Sequence, residues 1–82
     1  MTKENESFLK INGFEKIESS DLWWALKINE IFLLEVIYDY VDDSFFIVLT
    51  DDDSVSVVIE SKYKGDLSHF QELVSCFKKY FK

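Results

Sequence analysis

His69 and Cys76 are the only histidine and cysteine of this 82-residue chain, and the first residues that suit nucleophilic chemistry, since a thiol beside an imidazole base is a minimal catalytic pair. They lie seven residues apart on a segment of helical periodicity, hence on one face but separated by about 10.5 Å along the axis. A working pair needs hydrogen-bond reach, roughly 3 Å. Both are therefore expected at the rim between core and solvent. Asp51-Asp52-Asp53 has the acid density of a calcium loop. An EF-type loop counted from Asp51, however, needs glycine at its sixth position and glutamate at its twelfth, where this chain has Ser56 and Lys62. One Cys and one His fall short of the usual zinc set. Gly13 and Gly65 are the only glycines, too few for a phosphate-cradling loop.

Sixteen carboxylates offer many pairs for acid–base work. Most fall in turns open to water, whereas a general acid needs burial to raise its pKa. Glu35 is the exception, set mid-strand among Ile31, Leu33 and Ile37, and is expected to face solvent or to pair with Lys27 across a hairpin. The expectation is a non-enzymatic protein with no cofactor and no metal.

The elements that position these residues follow from periodicity. Four apolar runs, Leu22–Ile28, Ile31–Tyr40, Phe45–Thr50 and Val55–Glu60, are separated by short turns, two of them rich in aspartate. That is the pattern of an antiparallel sheet of hairpins. Alternation places Leu22, Trp24, Leu26 and Ile28 on one side of the first run, and Phe32, Leu34, Val36 and Tyr38 on the matching side of the second. Phe45, Ile47 and Leu49, then Val55, Val57 and Ile59, continue that core face. Phe14–Glu18 is expected as a preceding strand. Asn5–Asn12 is expected as a short helix stopped at Gly13, with Phe14 packing back on Leu9.

At 100° per residue, Leu67, Phe70, Leu73, Val74, Phe77, Tyr80 and Phe81 form one apolar face and predict a helix over Leu67–Phe81. Asp66 or Ser68 caps it, and Lys78, Lys79 and Lys82 suit its negative end. The fold class is α+β: an antiparallel meander of four to five strands with a C-terminal helix on one face and a short N-terminal helix, in one small domain, 1–82.

Composition bounds the partners. Nine lysines, no arginine and a net charge of −7 disfavour direct contact with nucleic acid, which needs a basic patch, and favour a basic protein surface. No apolar run approaches the roughly 20 residues of a membrane helix, and Met1–Glu6 lacks the apolar stretch of a secretory signal. A cytosolic location is expected.

Two surfaces stand out. Opposite the core positions lie Trp23, Ala25, Leu33, Ile37, Phe46, Val48 and Val58, where a one-sided sheet reads polar. Either the N-terminal helix folds over them, or they form a contact surface for a partner or a second copy. The acids gather at the two sheet ends: Asp21, Asp39, Asp42 and Asp43 at one, Glu30, Asp51, Asp52 and Asp53 at the other. They are ordinary turn residues, or carboxylate rows that imitate a phosphate backbone.

In kind, not by motif, such a chain resembles the small acidic inhibitors that phages and bacteriocin operons direct against nucleic-acid enzymes, of anti-CRISPR or anti-nuclease type. The partner-binding candidates are Trp23, Leu33, Ile37, Phe46 and Val48 on the sheet, and Asp42, Asp43, Asp51, Asp52 and Asp53 in the turns. The alternative is an accessory protein that forms a homodimer through the apolar sheet face.

Overall fold

Thr2 accepts a hydrogen bond from the Asn5 amide (3.1 Å) and so caps helix α1, Lys3–Ile11, in the computed structural model, which describes residues 1–80. The helix ends as its sequence predicts. Gly13 takes φ +89, its amide donates to the Lys10 carbonyl, and the Phe14 amide donates to the Leu9 carbonyl (2.9 Å). These are the two bonds of a Schellman stop, and Leu9 and Phe14 are both buried beyond it.

Strands β1 (Glu15–Lys16), β2 (Trp23–Lys27), β3 (Leu33–Asp39), β4 (Ser44–Thr50) and β5 (Ser56–Tyr63) follow. They form one antiparallel sheet in the order β1-β2-β3-β4-β5. A 3-10 turn at Leu67–Phe70 then leads into helix α2, Gln71–Tyr80. The α+β meander with its two helices is therefore as expected.

The differences are local. The first strand stops at Lys16, because Glu18 (φ 53) and Ser19 (φ 59) enter left-handed backbone that a strand cannot hold. The C-terminal helix begins as a 3-10 turn capped by Asp66, which accepts from the Ser68 amide (2.9 Å). Phe81 and Lys82, expected in its last turn, lie outside the described residues.

Both helices pack on the same face of the sheet. Phe8, Leu9, Leu67 and Val74 join Trp24, Leu26, Leu34, Val36, Tyr38, Phe45 and Ile47 in one core. Polar contacts fix α1 there. Asn5, itself buried, accepts from the Leu67 amide (2.8 Å) and donates to the Gly65 carbonyl (3.3 Å). Asn12 and Gln71 exchange reciprocal amide bonds (3.1 and 3.2 Å), and Lys78 reaches the Asn12 carbonyl (2.6 Å). Buried amides need such partners, and here the segment Gly65–Lys78 supplies them.

Three core positions expected on the strands are exposed, as is Tyr80, expected on the apolar face of the C-terminal helix. Leu22 precedes the first paired residue of β2, and Val55 and Val57 lie toward the β4–β5 turn, beyond the cover of the helices. Strand β5 also runs eight residues, past the expected end at Glu60. Two register shifts and a left-handed Lys62 (φ 54) bend it so that Tyr63 returns beside Phe45.

Candidate functional site: the open sheet face

Since α1 and α2 share one face, the other face of β2–β5 has no helix over it among the described residues. The register arranges it in three rows. Trp23, Ile37 and Phe46 form the first; Ala25, Glu35, Val48 and Val58 the second; Lys27, Leu33, Thr50 and Ser56 the third. Trp23 is 36% exposed, Leu33, Ile37 and Phe46 are half-buried, and Val48 is buried between Glu35 and Val58.

Glu35 stands at the centre of these rows and is only 9% exposed. The Trp23 indole N–H donates to its Oε1 (3.0 Å), and the Thr50 hydroxyl donates to its Oε2 (2.7 Å). Each donor sits one row away, a diagonal reach that long side chains on neighbouring strands make. Thr50 Oγ1 lies 2.9 Å from Ser56 Oγ; with the Thr50 proton given to Glu35, Ser56 is the donor. A polar chain therefore crosses β2 to β5 inside an apolar surface. The expected Lys27 pairing does not form: Lys27 turns to Glu30 (3.7 Å) in its own hairpin. Alternation could have placed Trp23, Glu35, Thr50 and Ser56 on one face, but not the diagonal contacts, which depend on register.

The acidic ends divide into two kinds. Asp51 accepts from the Asp53 and Val55 amides (3.0 and 2.9 Å), and Asp39 from the Val41 amide (3.0 Å). Asp43 accepts from the Tyr38 hydroxyl (2.6 Å), which pushes the Tyr38 phenol above its usual range. These carboxylates hold turns. Asp42, Asp52 and Asp53 are exposed, and their carboxylates have no hydrogen bond or ion pair among the described residues. Of the five aspartates in the candidate set, then, Asp43 and Asp51 have structural work and three present free charge.

His69 stacks on Tyr63, with ring centroids 6.2 Å apart, while Cys76 is exposed on α2. Among the described residues no group of three or more His, Cys, Asp or Glu is placed to hold a metal ion. No helix among them is long and apolar enough to cross a membrane. Compared with known proteins, the chain matches no family model, no curated protein and no solved structure.

Proposed function

We propose that this chain is a non-enzymatic, inhibitor-type module that binds a basic protein, such as a nuclease or other nucleic-acid-binding protein, on its open sheet face. The observation that carries the reading is the Glu35 carboxylate. It is held by Trp23 and Thr50 in the middle of a half-exposed apolar surface, and no lysine among the described residues pairs with it. A partner cation seated over Glu35 would meet a fixed charge in surroundings of low dielectric, where a charge pair is worth more than in water. Trp23, Leu33, Ile37 and Phe46 around it are residues suited to close such a contact against solvent. The free carboxylates of Asp42, Asp52 and Asp53 add long-range attraction and speed the encounter.

The test is capture from an extract of the cells that make the protein, at low and high salt. Wild type is run beside Phe46→Ala, which trims the apolar rim, and Glu35→Gln, which removes the charge while keeping an amide of the same shape. A basic protein retained by wild type, released by salt and lost with both variants is the expected result. Retention by wild type and both variants alike, or of no basic protein at all, would overturn the reading.

A further inference from the structure

Glu35 lies on a face that no helix among the described residues covers, yet it is only 9% exposed. Its cover therefore comes from side chains of the sheet itself. On the β2 side the residue paired directly with it is Ala25, whose methyl group is too short to reach across. Trp23, two residues earlier on the same face, closes that gap. Its indole donates to Glu35 Oε1 (3.0 Å), while the residue as a whole stays 36% exposed.

The seat of Trp23 leaves its ring room to turn the other way. Strand β1 pairs Glu15 with Ala25 and Lys16 with Trp24, then leaves the sheet at Ile17 and turns through the left-handed Glu18 and Ser19. Trp23 therefore has no paired residue on its outer side. Directly paired residues share a face, so Ala25 is flanked there by two glutamates, Glu35 on β3 and Glu15 on β1. The indole reaches Glu35 along one diagonal, and Glu15 stands on the opposite one. Glu15 is exposed, and its carboxylate has no hydrogen bond or ion pair among the described residues. On that side opens a hollow of about 440 Å³, lined by Glu15, Ile17, Ala25 and Leu33 among others. Its volume is in the range that holds a small organic ligand, hence an indole ring.

We propose that the Trp23 indole is a two-position lid on Glu35. In the closed position, the one in the structure, its N–H is bonded to Glu35. In the open position the ring crosses Ala25 into the hollow against Ile17, and its N–H is bonded to Glu15. Opening exchanges one carboxylate acceptor for another, so the indole N–H keeps a partner throughout. Rotation between staggered positions of the Trp23 side chain is all that it requires. The motion bares Glu35 Oε1 from the β2 side, while the Thr50 hydroxyl goes on holding Oε2. The purpose of the lid, to admit a partner's cation, rests on the function proposed above. The motion itself belongs to the free chain and is tested there.

Carboxylate labelling of the full-length chain, with a water-soluble carbodiimide and glycine ethyl ester followed by mass spectrometry, reads how often Glu35 is uncovered. Glu30, whose side chain is 93% exposed, is the internal standard. In wild type Glu35 should be labelled at least about tenfold more slowly than Glu30, as for a site open about a tenth of the time or less. Trp23→Leu takes the lid away and should speed Glu35 at least about fivefold with Glu30 unchanged, since the closed state is lost. Glu15→Ala removes only the acceptor of the open position and should slow Glu35 at least about threefold, because that position is then less populated. Circular dichroism checks that each variant folds. Should Trp23→Leu fail to fold, Glu15→Ala, at an exposed position, decides alone. Glu35 labelled no faster in a folded Trp23→Leu would overturn the lid, and Glu35 labelled no more slowly in Glu15→Ala would overturn its open position. Either failure leaves the capture of a basic protein to be decided by its own experiment.

Discussion

Leu33 and Leu34 are adjacent in β3, yet one lies half-buried on the open face and the other is 1% exposed beneath the helices. The two faces draw on the same strands and much the same apolar residue types. They differ in what fills the space above the sheet. On the covered face Leu9, Leu67 and Val74 close over Trp24, Leu34 and Ile47. On the open face a hydrogen-bonded chain from Trp23 through Glu35 and Thr50 to Ser56 occupies the centre, and apolar groups only flank it. The amides of Asn5 and Asn12 bond to the C-terminal segment and so keep α1 on the face that α2 covers.

The comparison is most easily broken at the leucine pair. Leu34→Ala should cost about 2–5 kcal/mol, because a fully enclosed side chain leaves a cavity. Leu33→Ala should cost under about 1 kcal/mol, since water fills the space it vacates. Urea midpoints read both, and equal losses would erase the distinction between the faces.

Next in size is the polar centre. Glu35→Ala strips the acceptor from Trp23 and Thr50 and should cost about 1–3 kcal/mol. Glu35→Gln keeps an acceptor and should cost less. If Glu35→Ala proves neutral in thermal melts, the network does not organise the open face.

The turns sharpen the contrast further. Asp51→Ala, which removes the acceptor for two loop amides, should cost about 1 kcal/mol. The triple replacement of Asp42, Asp52 and Asp53 by Asn should stay within about 0.5 kcal/mol. Similar losses would mean that the free and the bonded carboxylates had been wrongly divided.

The smallest effects are those of pH. Asp66 is held below the usual carboxylate range by the Ser68 amide and hydroxyl, so the stability it contributes is present above that range and is lost as pH falls through its lowered value. The Tyr38 phenol is raised by Asp43, so its contribution is present below about pH 10 and is lost as pH rises through the raised value. Tyr38→Phe should flatten the alkaline limb of a stability profile and Asp66→Asn the acid limb. A profile unchanged by either would show that these bonds do not persist in solution.

Much of the fold was legible because each strand carries its own alternation and each turn its own Asx chemistry, as the Asn29, Asp39 and Asp51 side chains confirm by bonding backbone amides two to four residues on. The Gly13 stop was equally local. Illegible were features that depend on distant parts of the chain. Nothing near α1 tells which face it covers; the partners of Asn5 and Asn12 lie about 60 positions away, at Gly65, Leu67 and Gln71. Glu35 was misread for the same reason, since its two donors come from strands on either side. Val55 and Val57 obey the alternation of a buried strand but lie where no helix passes overhead, a matter of helix position and not of pattern.

Because each strand pairs only with its neighbours in sequence, the sheet can assemble by successive hairpin closures, each spanning a short loop. The docking of α1 is different in kind: it joins the first dozen residues to the last third of the chain and cannot be completed until β5 and α2 are in place. Folding should therefore be quick for a β-rich chain, with α1 settling after the rate-limiting step. Its buried contacts would then act mainly as a brake on unfolding, so that the lifetime of the native state, more than the speed of reaching it, is governed by the N-terminal helix.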